Sequence, residues 1–277
     1  MAALFALGGA AAWGVGDFFG GLASRRLHVL TVLLLSQLAG LTGVLVWALV
    51  SGDSFPDTGE AAAAAGGGAA GLVGLAALYR GFAVGSMGIV APISAASPLV
   101  PLAVDLARGT VPSALQWVGI AVVLAGIAVV SREPGAVHGR RVAAGAGLAV
   151  VAALGFGLFV VGLDAAAASS VPWTIVLARA TSVSLALLAA LVVGAPLGSP
   201  ARFLPLVLAI GVFDTGANVL VAQATTVGSA GIVAVLSALY PLVTIALARI
   251  VLGERLRGAQ RAGGAAALAG AALVAAG

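Results

Sequence analysis

The chain has 277 residues, of which 62% are hydrophobic and 40 are Gly, whereas only 8% are charged. A soluble domain carries about 25% charged residues, so there is too little charge here to coat a water-soluble globule. A disordered chain is excluded as well, because so hydrophobic a sequence leaves water readily. The composition predicts an integral membrane protein.

The composition also excludes several functions. The sequence has no Cys, so it forms neither disulfides nor sulfur-ligated metal sites. Its two histidines, His28 and His138, lie far apart in polar connections, so we expect no metal centre, no Ser–His–Asp site and no cofactor. The arginines are spread along the chain in ones and twos between apolar runs, and the net charge of +4 therefore does not indicate a nucleic-acid partner.

Ten apolar runs divide the chain, and each is long enough to cross a hydrocarbon core of about 30 Å as a helix of about 20 residues. The predicted spans are residues 2–22, 29–50, 61–82, 86–106, 114–131, 142–163, 173–193, 203–225, 229–251 and 259–276. Turn and charge signals separate them at residues 24–26, 51–53, 132–135, 196–200 and 253–255. The first span lacks a basic start and a cleavage site, so we interpret it as a retained helix.

The second half of the chain repeats the first. With an offset of 143, residues 85–91 (GSMGIVA) align with 228–234 (GSAGIVA), and Pro98 falls on Pro241. Each of these prolines is expected to kink its helix. Near the start, an offset of 141 places Gly14 on Gly155.

Two repeats of five spans follow from this duplication, at residues 1–134 and 135–277. Five is an odd number, so the second repeat must enter the membrane with the opposite polarity. Inverted repeats are typical of secondary transporters, which bind substrate between the repeats near the membrane midplane.

Several motifs allow a family to be named. Trp13-Gly14 in the first span, Pro241 in the ninth, and residues 252–255 (LGER) followed by Gln260 resemble the EamA-type branch of the drug/metabolite transporter superfamily. The resemblance covers essentially the whole chain. It implies an all-α membrane protein with ten helices in two five-helix halves, and export of small metabolites across the plasma membrane.

Four polar residues at membrane depth are the main candidates for substrate contacts. Asp214 lies near the middle of the eighth span, and Asn218 follows one turn later on the same face. Asp17 follows Trp13 by four residues, so a carboxylate and an indole face could together hold an ammonium group. The structural alternatives are a protonated Asp214 that bonds a neighbouring helix, and an ion pair of Asp17 with the arginines at residues 25–26.

A second group of candidates lies near the repeated prolines and the helix ends. Tyr79 and Arg80 end the third span, where Arg80 could bind an anionic substrate group or anchor the membrane edge. Ser97 and Tyr240 each precede a repeated Pro. Arg179, about 9 Å into the seventh span at 1.5 Å per residue, could pair with an intramembrane Asp or extend toward the membrane edge.

These features predict a secondary transporter, not an enzyme, that exports a small polar metabolite such as an amino acid or amine by alternating access. Apolar surroundings favour a neutral carboxyl group, so Asp17 or Asp214 could exchange a proton for substrate. The expected partners are the substrate, protons and membrane lipid. We expect a multi-pass protein of the cell (inner or plasma) membrane, as a monomer or a homodimer.

Two alternatives stay open from the sequence. A flippase for lipids or lipid-linked sugars would have the same fold. An intramembrane aspartyl protease is a remote alternative, because residues 14–17 fit its Gly-x-Gly-Asp signature and Asp214 could supply the second carboxylate. That family places its other Asp before this signature, and its later Pro-Ala-Leu element is missing here.

The arginines also predict an orientation. Ten of them lie in the odd-numbered connections between spans, whereas the even-numbered connections hold only Arg108. The positive-inside rule then places the odd connections in the cytoplasm and both termini outside. The family resemblance implies the opposite, with both termini inside.

Overall fold

A computed structural model describes residues 1–24, 26–84, 93–130, 140–194, 201–252 and 258–277. Over these residues the chain is helical and forms no strands. The helices are α1 (Ala2–Ser24), α2 (Val29–Ser51), α3 (Thr58–Val84), α4 (Leu99–Ala107), α5 (Ala114–Val130), α6 (Arg140–Ala167), α7 (Val171–Val193), α8 (Leu204–Thr225), α9 (Ala230–Ser237), α10 (Tyr240–Leu252) and α11 (Gly258–Ala276). A short 3-10 turn, Ala201–Phe203, leads into α8.

Six of these helices are long and apolar enough to cross a membrane, namely α1, α2, α3, α6, α7 and α8. Within the described ranges, α5 and the segment from Ala230 to Thr244 are apolar but shorter. The prediction of an all-α membrane protein is therefore confirmed, and the full set of ten crossings stays a prediction. The motif at residues 85–91 and the connections at 132–135, 196–200 and 253–255 lie outside the described residues.

Glycine ends the second helix of each half. α2 stops at Gly52 and α7 stops at Gly194, with φ of 77° and 67°. Both values lie in the left-handed region, which Gly adopts without a steric penalty. At its other end, α7 is capped by Ser170, whose side chain accepts a hydrogen bond from the Trp173 N–H. The sequence signal at 51–53 thus marks a real helix end.

The two halves pack crosswise. α1 lies against α8, and α6 lies against α3, so the first helix of each half contacts the third helix of the other. Helices α2 and α7, the second of each half, also contact each other.

Glycine permits close helix approach at equivalent positions of the two halves. A Cβ atom on Gly14 would lie 2.7 Å from the Tyr240 carbonyl oxygen, and one on Gly157 would lie 2.7 Å from the Ser97 carbonyl oxygen. Both pairs are related by 143 residues, so Gly14 corresponds to Gly157. The predicted match of Gly14 with Gly155 is therefore wrong, and the offset of 143 extends back to α1.

The fifth helices of the two halves, α5 and α11, pack against each other through four glycines. A Cβ on Gly119 would meet the Gly270 carbonyl oxygen at 2.7 Å, and one on Gly126 would meet the Gly263 carbonyl oxygen at 2.7 Å. The later residue on α5, Gly126, faces the earlier residue on α11, Gly263, so the two helices run antiparallel. The absence of side chains at these positions lets the backbones touch.

The ninth predicted span is broken in two. Helix α9 ends at Ser237 and α10 begins at Tyr240, immediately before Pro241. Because Pro has no N–H, it cannot donate to the carbonyl one turn earlier, and the helix is interrupted there. The equivalent stretch of the first half, residues 95–98, forms turns before α4 begins after Pro98. The structure therefore shows a break at both repeated prolines.

Candidate functional site

The candidate residues on α1 and α8 meet at one seam between the halves. The Trp13 Nε1–H donates a hydrogen bond of 2.9 Å to Oδ1 of Asn218. Tyr240 presents its ring to Trp13 edge to face, with ring centroids 6.3 Å apart at 78°. We call Trp13, Asp17, Asp214, Asn218 and Tyr240 the seam cluster.

The two aspartates of the seam cluster lie on helices that pack against each other. Gly16 brings the backbones of α1 and α8 into contact, since a Cβ there would be 3.5 Å from the Asp214 amide nitrogen. Asp17 follows Gly16 on α1 and is exposed by area.

Asp214 has a cationic partner. Nη2 of Arg179, on α7, forms an ion pair with Oδ2 of Asp214. Arg179 is buried, with 6% of its area exposed, and its Nε has no hydrogen-bond partner. Of the two alternatives for Arg179, the structure shows pairing with an intramembrane Asp.

Asp17 has no such partner within the described part of the chain. The expected structural alternative was a pair with the arginines at residues 25–26. Arg25 lies outside the described residues, and Arg26 is exposed and forms no ion pair with Asp17. The two aspartates therefore differ in their charge environment.

Sequence reasoning missed a group of buried polar residues beside the ion pair. The Ser182 hydroxyl, one turn after Arg179 on α7, donates a 2.6 Å hydrogen bond to Oε1 of Gln37 on α2. Thr215, next to Asp214, is buried against Gly40, and its hydroxyl has no partner. The sequence did contain a signal for these contacts, because Gln37 interrupts a strongly apolar span and an amide at that depth needs a hydrogen-bond partner.

The equivalent seam between α6 and α3 is apolar. At an offset of 143, the positions of Trp13 and Asp17 are taken by Phe156 and Val160 on α6. Those of Asp214 and Asn218 are taken by Gly71 and Leu75 on α3. The two seams thus share their packing, but at these four equivalent positions only the seam between α1 and α8 carries polar side chains.

The structure places the second group of candidates in different parts of the molecule. Tyr240 joins the seam cluster, whereas its equivalent Ser97 lies against Gly157 at the apolar seam. Arg80 is exposed near the end of α3 and forms no ion pair among the described residues. The backbone of Tyr79 is helical, and its side chain lies outside what the structure describes.

A separate polar cluster ties the halves together at one membrane face. The Ser170 hydroxyl donates to Oδ2 of Asp53 at 2.8 Å, and the Trp173 Nε1–H donates to the Asp53 carbonyl oxygen at 3.2 Å. The Ser169 hydroxyl also donates to Glu60. A cavity of about 290 Å³ lies beside these residues and reaches Gln223 on α8. None of the sequence-predicted substrate contacts lines this cavity.

These features define the class of protein, a multi-pass helical membrane protein with charged and amide side chains held between apolar helices. The chain belongs to the EamA-like transporter family of the drug/metabolite transporter superfamily, whose sequence model matches residues 1–132 and 143–276. The family resemblance stated from the sequence is confirmed, and the match covers the chain as two repeats.

A solved structure shares this fold. It is a crystal structure of another protein, and it superimposes on this chain with a TM-score of 0.82. The match covers 98% of this chain and 95% of the other, at 17% sequence identity. No curated protein shows a significant sequence match to this chain.

Proposed function

We propose that the protein is a secondary active transporter that exports a small polar metabolite, such as an amino acid or amine, across the cell membrane. The observation that carries this proposal is the seam cluster, in which Trp13, Asn218 and two aspartates lie between the halves of a largely apolar bundle. Polar groups at membrane depth are costly, and they mark substrate and ion pathways.

We further propose that the two repeats are inverted and that the protein works by alternating access. The antiparallel packing of α5 against α11 supports opposite polarity, because these helices occupy equivalent positions in the two repeats. Two similar bundles of opposite polarity allow two packings of similar energy, one open to each side. The breaks at Pro98 and Pro241 give each bundle a place to bend.

The seam cluster suits a substrate with an ammonium group. Carboxylates accept the N–H donors of an ammonium group, and the faces of Trp13 and Tyr240 attract its positive charge. A carboxyl group in such a place can also carry a proton, so Asp17 or Asp214 would exchange a proton for substrate in each cycle.

The test compares the metabolites retained by cells that contain the protein with those retained by cells that lack it. Two matched variants are then measured in the same way. Trp13→Leu removes an aromatic ring from the polar seam, and Phe156→Leu removes one from the equivalent position of the apolar seam. We expect Trp13→Leu to abolish efflux of the transported metabolite, whereas Phe156→Leu retains it at an equal protein level. Equal loss of efflux in both variants would mean that the seam cluster is not the binding site.

A further inference from the structure

Polar side chains join the two halves at one membrane face, the face of the even-numbered connections. Asp53 and Glu60 belong to the first half, whereas Ser169 and Ser170 belong to the second. The Asp53 carboxylate accepts a hydrogen bond of 2.8 Å from the Ser170 hydroxyl, and Glu60 accepts one from the Ser169 hydroxyl. These bonds connect the start of α3 and the connection before it to the start of α7.

Two further contacts at this face also run from one half to the other. Arg108, at the end of α4, forms an ion pair of 2.7 Å with Asp164 on α6. The buried carboxylate of Asp105 on α4 accepts the Gly231 N–H of α9 at 2.7 Å. We use the name latch for the contacts that four side chains of the first half make with these partners, namely Asp53, Glu60, Asp105 and Arg108.

The internal repeat allows the latch to be compared with the equivalent positions of the second half. Helices α2 and α7 each have 23 residues and end at Gly52 and Gly194, so an offset of 142 relates them. From α3 onward the offset is 143. The positions equivalent to the four latch side chains are all apolar, namely Ala195, Phe203, Ala248 and Val251. In an inverted repeat these positions belong to the opposite face. The second half therefore cannot form equivalent polar contacts there through these side chains.

We propose that the latch holds the halves together at this face in the resting protein, and that it opens and closes in each transport cycle. The proposal rests on the proposed function, and it assigns the resting state of the alternating-access cycle. A conformation that is open at this face loses the latch contacts and gains no equivalent contacts at the other face. The population of molecules therefore favours the conformation that is closed here.

The cavity of about 290 Å³ gives the latch a place on the substrate path. Asp53, Ser169 and Ser170 line it, and so does Gln223 on α8. Gln223 follows Asn218 by five residues, which is about 7.5 Å along the helix at 1.5 Å per residue. The cavity thus extends from the latch toward the seam cluster, and opening of the latch would widen it into a path to the proposed binding site.

Introduced thiols can test the latch without background, because the chain has no Cys. The pair Asp53→Cys with Ser170→Cys lies at the latch, and the pair His28→Cys with Ala195→Cys lies at the equivalent positions of the repeat. The full chain in native membranes is treated with a short bifunctional methanethiosulfonate. Cleavage at a protease site introduced into residues 132–139 then shows which molecules still have their halves joined.

We expect the latch pair to be joined faster than the equivalent pair, by about fivefold or more in initial rate, as for a resting state with a clear majority population. Joined molecules should lose efflux of the metabolite found in the cell comparison, and a reductant that releases the reagent should restore it. Equal initial rates for the two pairs, or undiminished efflux from joined molecules, would contradict the proposal.

A second measurement keeps the test decisive should the paired variants fail to fold. Asn218 is buried, so a thiol in Asn218→Cys reacts with a membrane-impermeant reagent only when the protein opens. Adding Asp53→Ala and Glu60→Ala should raise its labelling rate from the latch side by about fivefold or more, the equivalent of about one net hydrogen bond. Val111→Cys, exposed after α4, identifies that side.

The control for charge at this face is Asp57→Asn. The Asp57 side chain accepts the Glu60 N–H within the first turn of α3, and Asn retains such a cap. We expect this variant to leave the labelling rate unchanged. No rise on removal of Asp53 and Glu60, or an equal rise in the control, would overturn the proposal.

The labelling and joining rates need no known substrate, so they separate this proposal from the proposed function. If wild-type cells export nothing, the proposed function fails, while these rates still decide whether the latch controls access to the seam cluster.

Discussion

Gly14 and Gly157 offer a controlled comparison between the polar and the apolar seam. Each lies at the same position of its repeat, and in each case a methyl group would collide with a backbone carbonyl oxygen at 2.7 Å. The carbonyl near Gly14 belongs to Tyr240, whose ring contacts Trp13. The carbonyl near Gly157 belongs to Ser97, outside the seam cluster. Substitution by Ala should therefore disturb packing equally but disturb the proposed substrate site in one case only.

The expected loss of stability follows from two opposing effects. Overpacking costs about 1–3 kcal/mol, and replacing Gly by Ala in a helix regains up to about 1 kcal/mol. Both Gly14→Ala and Gly157→Ala should therefore lose about 2 kcal/mol of unfolding free energy, which is the upper end of the overpacking cost less the helix gain. The upper end applies because the nearest atoms are a carbonyl oxygen and the Cβ of Val243 or Val100, all of which are fixed to the backbone. Gly20→Ala is the control, since its new methyl group meets nothing within 4 Å, and we expect it to keep or raise stability.

Thermal unfolding in detergent measures the loss of stability. Metabolite efflux from cells measures the disturbance of the proposed substrate site. We expect a lower unfolding temperature for both Gly14→Ala and Gly157→Ala, and lost efflux for Gly14→Ala alone. The reasoning is refuted if Gly14→Ala unfolds at the same temperature as Gly20→Ala. It is also refuted if Gly157→Ala loses efflux as completely as Gly14→Ala.

Three further predictions concern single contacts and the orientation. Trp13→Phe keeps an aromatic ring but loses the 2.9 Å bond to Asn218, so we expect the KM of efflux to rise by about tenfold at most, given the modest net value of one neutral hydrogen bond. Asp105→Ala leaves the buried Gly231 N–H without its 2.7 Å partner, and should lower the unfolding free energy by about 1–3 kcal/mol. A C-terminal reporter that is active only in the cytoplasm should stay inactive, because the arginines place the termini outside; an active reporter would contradict this orientation.

The membrane class, the helices and the twofold repetition could be predicted because they depend on local composition and periodicity. Hydrophobic runs locate the spans, and the matched Pro98 and Pro241 locate the breaks. The register of the first helices could not be fixed in the same way. In a chain with 40 glycines, Gly14 matches Gly155 as readily as Gly157, and only the packing against Tyr240 and Ser97 distinguishes the two.

The seam cluster was accessible to sequence reasoning because charged and aromatic residues are rare in these spans. The depth and spacing of Trp13, Asp17, Asp214 and Asn218 were enough to select them. Their partners were not accessible, because pairing across helices depends on rotation and depth together. Arg179 could equally have extended toward the membrane edge, and only the structure shows its side chain directed at Asp214.

The unequal chemistry of the two seams has a consequence for how such proteins diversify. A duplicated gene starts with two identical contact surfaces. Here one of them has apolar residues or Gly at the equivalent positions, namely Phe156, Val160, Gly71 and Leu75. Substitutions can then accumulate in the other contact surface while the apolar one maintains the packing of the two halves. With the seam cluster as the proposed binding site, changes of substrate among relatives should concentrate along α1 and α8, while α3 and α6 should vary only among residues of similar size and hydrophobicity.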